Sequence, residues 1–387
     1  MYASGYYMTV SNDKTAVYDF GDGVVLSGCS PGNATNAILV KYSPSGVAQW
    51  ARCLSSESGF SSFTNLAIDG TGNIYTAGFI RGTKSYSGIN KISSQISAIG
   101  SSNGQNAVLC KYDSNGDLQW IRTTSEGSVS SAFSAVTVDA SGNIYTAGTV
   151  NGQVKYSFGS FATVTGLYNY TNAAMVKYSS NGEAQWAKTI ASTVEATQVV
   201  MASSSFTDIG VDGAGNMYVI GVVGAGLYTF SPGVTVSVPA FVLVKYDSSG
   251  TALWVKTVGP ETKNPLHISN FFGLCVDGSG NCYVGGGIYC NLVYDFGNGV
   301  SAVGALTDRS NALLVKYDNT GIAQWAKTIM TGTILSSYTG VAVNSSGEIY
   351  VSGIAGGLGS LGPGNSISVK TLLEGFNSFL VKYGETK

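Results

Sequence analysis

The sequence predicts an all-β fold, a six-bladed β-propeller in which the first and last blades are incomplete. The first observation is a repeat: near copies of residues 312–328 recur along the chain. Successive copies of their Lys-Tyr pair are 70, 66, 68, 71 and 66 residues apart. A period this regular indicates a repeat architecture. The Lys-Tyr pairs lie at 41–42, 111–112, 177–178, 245–246, 316–317 and 382–383.

The second observation is that each full repeat divides into four short segments, which we name strands A to D. In the second repeat they are residues 66–69, 73–78, 107–112 and 117–122. The segments are rich in Val, Ile, Tyr and Trp and are bounded by Gly, Asn, Asp and Ser, as in strands joined by tight turns. No stretch has apolar residues at helical spacing over the length that a helix needs.

The third observation is that both faces of these strands are apolar. In one C strand, Leu313, Val315 and Tyr317 lie on one face, and Ala312 and Leu314 lie on the other. A sheet with one face in water would alternate more strictly between apolar and polar residues. Small sheets arranged radially, each covered on both sides by its neighbours, satisfy the pattern, and that arrangement is a β-propeller.

The repeats form one predicted domain, 1–387, and six strands of types B and C are expected against five of types A and D. The first repeat lacks its inner strand A, and the last lacks its outer strand D. Three explanations stay open: packing alone closes the ring, the chain is part of a longer protein, or a partner adds a strand to an open edge. The repeats span approximately 1–53, 60–123, 131–189, 205–257, 270–328 and 337–387.

Residues 340–353, followed by residues 378–383 and, in earlier copies, by residues such as 323–327, carry a family resemblance. These units resemble the SBBP β-propeller repeat family, a relative of the NHL repeats. The resemblance implies an extracytoplasmic binding or scaffolding role in a bacterial or archaeal envelope, and it brings no catalytic residues. The chain departs from the family in blade number, since the family name suggests seven.

Composition excludes several classes of function. Charged residues make up 11% of the chain and the net charge is −2, so the clustered Lys and Arg that bind nucleic acid or anionic lipid are missing. No apolar run approaches the length of a membrane helix, and the residues after Met1 do not form a signal peptide. The many Ser, Thr, Asn, Gly and Tyr residues are typical of secreted or surface-exposed proteins.

The turns between strands A and B suggest calcium loops, but a structural interpretation is favoured. Four of the five turns offer one carboxylate each, whereas calcium needs six to eight oxygen ligands. An Asp or Asn that accepts from backbone N–H groups, with Gly at positive φ, explains the motif without a metal. The turns are residues 69–73, 139–143, 212–216, 277–281 and 344–348.

The repeated aromatic residues admit a binding and a structural interpretation. One Trp recurs in each D strand, and stacking on a sugar would make it a lectin site. Contact between neighbouring blades is the favoured interpretation for the Trp residues and for the Lys-Tyr pairs. The tryptophans are Trp50, Trp120, Trp186, Trp254 and Trp325.

Catalytic and metal sites have few candidates. His267 is the only histidine, which excludes a His-based zinc site and leaves a Ser or Cys triad dependent on one residue. The GxGxxG match at 357–362 is interpreted as a loop because no helix follows it. Sequons begin at Asn33, Asn169 and Asn344. Cys110, Cys275 and Cys282 are expected as core residues, with a disulfide among Cys275, Cys282 and Cys290 as the alternative.

These observations predict a non-catalytic extracellular or cell-surface propeller that acts in binding, adhesion or self-assembly, with no cofactor, no metal, no catalytic residues and an unknown ligand site. The expected partners are a protein or glycan ligand or further copies of the chain, and neither nucleic acid nor a membrane span is expected. A lectin is the alternative, and a carboxylate-dependent glycosidase or lyase comes third. The variable connections between strands B and C, residues 81–106, 151–172 and 355–377, are the predicted binding regions.

Overall fold

The computed structural model describes residues 1–9, 17–27, 34–56, 59–88, 96–193, 203–237, 239–258, 270–329, 331–357, 359–364, 367–371 and 375–384. Within these ranges the chain is all-β and contains no helix. Accordingly, none of the described segments is a helix able to cross a membrane. The chain divides into two compact units, Met1–Ile190 and Ala191–Lys387, which are described separately.

Four strand types recur through the two units, as the sequence predicts. The A strands are β6 (Ser61–Ile68), β12 (Ser131–Val138), β19 (Ser204–Val211), β25 (Asn270–Val276) and β32 (Leu335–Val343). The B strands are β1 (Tyr2–Thr9), β7 (Ile74–Arg81), β13 (Ile144–Asn151), β20 (Met217–Val223), β26 (Cys282–Tyr289) and β33 (Ile349–Gly356). The C strands are β4 (Ala34–Tyr42), β10 (Gln105–Tyr112), β16 (Thr171–Tyr178), β23 (Ala240–Tyr246), β29 (Ser310–Tyr317) and β36 (Phe376–Tyr383). The D strands are β5 (Ala48–Ser55), β11 (Leu118–Thr123), β17 (Ala184–Thr189), β24 (Ala252–Val258) and β30 (Ala323–Thr328).

In the first unit, two sheets have the full antiparallel order A-B-C-D: β6-β7-β10-β11 and β12-β13-β16-β17. The first sheet begins instead with the B strand, in the order β1-β4-β5. In the second unit, β19-β20-β23-β24 and β25-β26-β29-β30 are complete, and the last sheet is β32-β33-β36. Among the described strands, the first sheet therefore holds no A strand and the last holds no D strand.

The register between strands C and D repeats from sheet to sheet. Lys111 pairs with Trp120, and a bulge follows before Tyr112 pairs with Leu118. Lys316 pairs with Trp325 in the same way in the second unit, again with a bulge after the lysine. Because side chains alternate between the faces of a strand, this common register places the Lys and the Trp on the same face in the repeats that have a D strand.

Both faces of the inner strands are buried against neighbouring sheets. Leu109 of β10 lies in one apolar cluster with Phe133 and Val136 of β12, which belong to the next repeat. Leu314 of β29 lies in a cluster with Tyr338 of β32. Within each unit, an A strand therefore covers the sheet of the repeat before it, which explains why the strands are apolar on both sides.

The connections between strands B and C differ from the prediction, because they are not simply loops. Each contains a two-stranded hairpin, which we call the B–C hairpin. The hairpins are β2 (Val17–Asp19) with β3 (Val25–Ser27), β8 (Ser85–Gly88) with β9 (Ser97–Ile99), β14 (Lys155–Ser157) with β15 (Thr163–Thr165), β21 (Leu227–Ser231) with β22 (Val234–Val236), β27 (Val293–Gly297) with β28 (Val300–Val303), and β34 (Gly359–Gly364) with β35 (Ile367–Thr371).

The hairpins pair with the end of the preceding repeat. β8 pairs with β5, so the first sheet has the full order β1-β4-β5-β8-β9. In the second unit, two short strands play the same role: β18 (Ala191–Thr193) pairs with β21, and β31 (Thr331–Gly332) pairs with β34. The GxGxxG match, predicted to be a loop, lies partly in β34, where backbone pairing with β31 and β35 holds it extended.

The cysteines follow the core interpretation in part. Cys110 and Cys282 are fully buried free thiols, Cys275 is a partly buried free thiol and Cys290 is also free. The alternative disulfide among the last three is therefore wrong. Cys53 is disulfide-bonded, which the sequence did not predict, and Cys29 lies outside the described residues. His267 and the sequon residue Asn33 also lie outside them.

Candidate functional site

The turn between strands A and B holds its carboxylate with hydrogen bonds from its own loop. Asp69 Oδ1 accepts from the backbone N–H groups of Thr71 and Asn73, at 3.0 and 2.9 Å. Asp69 Oδ2 accepts from Asn73 Nδ2 and from the Tyr75 hydroxyl, at 2.7 and 3.0 Å. Burial opposes ionisation of Asp69, but the hydrogen bonds from Asn73 and Thr71 hold the pKa of the carboxyl below its ordinary value.

The same pattern recurs at Asp139, Asp212 and Asp277, and Asn344 replaces the aspartate in the last repeat. Both carboxylate oxygens are thus used by the turn itself. Within the described ranges, no group of three or more His, Cys, Asp or Glu side chains is placed to hold a metal ion. The geometry therefore supports the structural interpretation of these turns over the calcium one.

The Lys-Tyr pair joins this turn to the rest of the repeat. Lys111 Nζ lies 5.4 Å from the ring centroid of Tyr75, whose hydroxyl donates to Asp69. The same ammonium donates to the carbonyl oxygen of Ser180, in the turn between strands C and D of the next repeat, at 3.4 Å. The lysine is therefore a cation–π and hydrogen-bonded contact between two repeats.

The tryptophans make a second contact between repeats. Arg122 covers the ring of Trp120 at 5.1 Å, and its Nε–H donates to the Gly182 carbonyl of the next repeat at 2.8 Å. Its Nη2 also donates to the Asn181 carbonyl at 3.1 Å. Trp50 and Arg52 repeat the arrangement on Gly116 and Asn115. An arginine therefore lies over the indoles of Trp50 and Trp120, which leaves less of each ring for a sugar to stack on.

Asp208 is the carboxyl with the most unusual environment on an inner strand. Its Oδ2 accepts from the Leu274 N–H of the next A strand at 2.8 Å, and its Oδ1 accepts from the Ile209 N–H. Burial raises its pKa to about 7, although these two hydrogen bonds act in the opposite direction. Asn65 occupies the same place in the first unit and accepts from the Val136 N–H at 3.3 Å. The shared role is to tie adjacent A strands together.

The B–C hairpins are anchored by a buried tyrosine that the sequence analysis missed. Tyr156 is fully buried, and its hydroxyl donates to the Asn151 carbonyl at 2.7 Å. Tyr86 makes the same contact with the Arg81 carbonyl, and Tyr294 makes it with the Tyr289 carbonyl. The signal was present in the sequence, because a Tyr stands at the second position of these hairpins.

A buried asparagine holds the return of the chain from hairpin to strand C. Asn172 Oδ1 accepts from the backbone N–H groups of Leu167 and Tyr168, at 2.8 and 2.9 Å. Its Nδ2 donates to the carbonyl groups of Tyr168 and Tyr170. Asn106 and Asn311 are buried at the same position of their repeats and bind backbone in the same way. Here too the sequence carried a signal, an Asn directly before the Ala of strand C.

The anchored hairpins carry many of the exposed apolar side chains. Phe161, between β14 and β15, is 88% exposed, and Tyr170 is 54% exposed. Phe158 in the same hairpin is buried and stacks on Phe133 at 5.7 Å, so the base of the hairpin is fixed while its tip is open. Other exposed apolar side chains in these segments are Val17, Val25, Ile99, Leu167, Leu227, Val293 and Val303.

Comparisons with known proteins give one structural neighbour to report. No family model matches this chain, and no curated protein matches it. A solved structure described as a new family of polysaccharide lyase, PL25 ulvan lyase, matches 91% of this chain and 73% of its own, with 12% identity and a TM-score of 0.43. The SBBP resemblance stays a prediction.

The prediction that this chain is not an enzyme is contradicted by that neighbour, which is a polysaccharide lyase, and we withdraw it. A likeness at this identity and TM-score transfers neither an activity nor catalytic residues. The physical reason for the error is that the absence of a sequence motif was taken as the absence of a site, although a repeat fold assembles sites from residues far apart in the chain.

Proposed function

We propose that this chain is a binding protein of the cell surface or extracellular space, built as a six-bladed β-propeller with incomplete first and last blades. The repeated sheets support this architecture, as does the covering of one sheet by the A strand of the next repeat in both units. The B–C hairpins form the proposed binding surface, and a protein is the proposed partner.

One observation carries the proposal: apolar side chains are exposed on hairpins whose bases are rigidly held. Phe161 stands at the tip of a hairpin that the buried Tyr156 and Asn172 fix to the sheet. A side chain held in this way loses little conformational freedom when a partner covers it, so more of the contact energy appears as affinity. Exposed apolar residues near one another commonly mark interaction sites.

The side-chain chemistry favours a protein partner. The exposed apolar side chains of the hairpins are mostly aliphatic, as at Ile99, Leu167 and Val303, and the whole chain has few charged groups. Aliphatic side chains gain by removing apolar surface from water, which a protein surface offers more readily than a hydroxyl-covered sugar. Association with further copies of this chain belongs to the same class of interaction.

A glycan is the second candidate, and the third repeat is what favours it. Phe161 and Tyr170 expose aromatic rings in the same B–C segment. Aromatic rings bind the apolar face of a sugar, and a tyrosine adds a polar group at its edge. This site differs from the tryptophan pockets predicted from the sequence, because the rings of Trp50, Trp120 and Trp254 pack against the turn glycine of the next repeat.

An extracytoplasmic location is part of the proposal. The disulfide at Cys53 supports it, because disulfides persist mainly in oxidising compartments. The low fraction of charged residues is compatible with such a location.

The test compares Phe161→Ser combined with Tyr170→Ser against Ile322→Ser. Ile322 is 44% exposed in a turn between strands C and D, away from the hairpins, and serves as the matched control. The probes are a cell-envelope protein fraction, the same fraction after protease digestion, and a glycan array. The proposal expects binding to the undigested fraction that the double variant weakens and the control keeps. Binding to glycans alone would establish the second candidate, and equal binding by both variants would overturn the proposed surface.

A further inference from the structure

In both units an A strand covers the repeat before it in the same way. Ser131 Oγ accepts from the Ala107 N–H of the preceding C strand at 3.0 Å, and Ser61 and Ser336 make the same contact with Ala37 and Ala312, at 2.9 and 3.1 Å. Two residues further along each A strand is a buried aromatic side chain: Phe63, Phe133 or Tyr338. A serine and an aromatic residue separated by one position thus form a repeated docking element.

The surface that receives this element is also repeated. The aromatic side chain lies in one cluster with two residues of the preceding C strand: Phe133 with Ala107 and Leu109, and Tyr338 with Ala312 and Leu314. The leucine two positions before the Lys-Tyr pair is fully buried in both cases, as it is at Leu39 and Leu243. Where the next A strand sits in the same unit, as on Leu109 and Leu314, this leucine therefore marks the place that it covers.

The last sheet carries the same receiving surface with nothing over it in the described chain. Leu380 of β36 corresponds to Leu314 of β29, but it is 69% exposed whereas Leu314 is fully buried. Ser378 corresponds to the fully buried Ala312 and is exposed. On the same face, Ser352 of β33 and Ala342 of β32 are exposed. We call Ala342, Ser352, Ser378 and Leu380 the acceptor face.

The strand inventory of the described chain explains why this face is open. Six C strands are present but only five A strands, because the first sheet begins with a B strand. In both units, A strands of this chain are already seated on the C strand before them, as β12 is on β10 and β32 is on β29. Since Leu380 is 69% exposed, none of the described strands covers the acceptor face.

We propose that the acceptor face binds a β-strand of another polypeptide that carries the Ser-x-Phe or Ser-x-Tyr element of the A strands. The chemistry is fixed by this chain's own contacts: the serine hydroxyl accepts from the Ser378 N–H, and the aromatic ring lies on Leu380. A repeat of the same kind in a neighbouring protein presents such a strand. The acceptor face is distinct from the hairpin tips. Binding of a strand at the acceptor face is therefore independent of binding of a partner at the hairpins.

A peptide of residues 131–148, containing strands A and B of the third repeat, tests the proposal as a fluorescent ligand for the full chain. We expect saturable binding that is about tenfold weaker for the peptide with Phe133→Ala, the order expected from losing a buried aromatic contact. Leu380→Ser in the protein should weaken binding of the intact peptide by a similar factor. Because Leu380 is exposed, this substitution leaves the fold intact, and Ile322→Ser is the matched control.

A photoreactive phenylalanine in place of Phe133 locates the bound peptide. The proposal expects cross-links in β33 and β36. Absence of binding up to about millimolar peptide, where only the weakest specific contacts remain, would overturn it. Equal binding to the Leu380→Ser protein, or cross-links confined to other strands, would do the same. Self-association of the chain that Leu380→Ser abolishes would identify a second copy as the occupant and likewise overturn the proposal.

Discussion

The indole of Trp50 packs directly on Gly116, the turn glycine of the next repeat. A Cβ atom added to Gly116 would lie 3.0 Å from Trp50 Cδ2 and 3.1 Å from Arg52 Nε. Trp120 stands in the same relation to Gly182, and Trp254 to Gly321 at 3.2 Å. These contacts, together with the cation beside each indole, hold successive sheets together within each unit.

Removing the guanidinium group of Arg122 should weaken the contact between Trp120 and the next repeat. We expect Arg122→Ala to lower the free energy of unfolding by about 2 kcal/mol, since two hydrogen bonds to turn carbonyls of the next repeat and the cover over Trp120 are lost together. Lys155→Ala is the control, because its ion pair with Glu126 is exposed on both sides and such pairs contribute about 0 to 1 kcal/mol. Urea unfolding measures both. Equal effects of the two substitutions would show that the Arg122 contact contributes nothing specific.

The turn carboxylates should act without a metal. We expect Asp69→Ala to destabilise the chain by about 1 to 2 kcal/mol, because it leaves the Thr71 and Asn73 N–H groups without their acceptor. Folding lowers the pKa of the Asp69 carboxyl. Its contribution to the free energy of unfolding is therefore fully present above the ordinary aspartate pKa, and it is lost as the pH falls through the lower pKa of the folded state. Thermal unfolding with millimolar calcium or with a chelator should give the same Tm. A Tm that calcium raises in the wild type but not in Asp69→Ala would restore the calcium interpretation.

Asp208 should produce the opposite pH dependence. Its folded-state pKa is raised to about 7, so the folded chain retains a proton that the unfolded chain releases at about pH 4. Stability should therefore fall as the pH rises from about 4 to 7, by about 1 to 3 kcal/mol, since the side chain is only partly buried. Asp208→Asn should remove that fall, because Asn65 makes the equivalent hydrogen bond with an amide. Urea unfolding at a series of pH values measures this loss of stability. If Asp208→Asn lost stability with rising pH as steeply as the wild type, Asp208 would not be its cause.

The number and order of the strands could be predicted from the sequence because each strand can be compared with its copies in the other repeats. All six C strands share the Lys-Tyr pair, and the register of Lys111 with Trp120 recurs at Lys316 with Trp325. The absence of an A strand from the first sheet and of a D strand from the last followed from the same alignment. For the turns at Asp69 and its equivalents, the Asp-x-x-Gly-Asn spacing was enough to predict the conformation, because the hydrogen bonds that hold each turn lie within it.

The B–C hairpins could not be predicted in the same way. Their strands are only three to six residues long, so an alternating apolar and polar pattern has too few positions to be recognised. The match between residues 17–24 and 293–300 was the available signal, since it covers most of two hairpins. The contact of Arg122 with Gly182 was out of reach for another reason: it joins residues 60 positions apart, and sequence spacing does not reveal which side chain crosses between sheets.

The acceptor face could be recognised only in the structure. The sequence of β36 differs little from that of β29, and the exposure of Leu380 and Ser378 beside the burial of Leu314 and Ala312 distinguishes the two surfaces. The prediction of a non-enzyme failed because no sequence pattern can exclude a site that is built from several repeats.

The central claim is that the repeats are stacked, each holding the turn of the next, and two glycine substitutions test it directly. Gly116 and Gly46 occupy the same turn position with φ of 82° and 84°, so Ala at either site carries the same backbone strain. Only at Gly116 does the added Cβ meet Trp50 and Arg52, since nothing lies within 4 Å of it at Gly46.

The decisive measurement is the free energy of unfolding of Gly116→Ala beside that of Gly46→Ala. We predict that Gly116→Ala is less stable than Gly46→Ala by about 1 to 3 kcal/mol, the usual cost of overpacking a close contact. Equal losses of stability in the two variants would contradict the stacking of one repeat on the next.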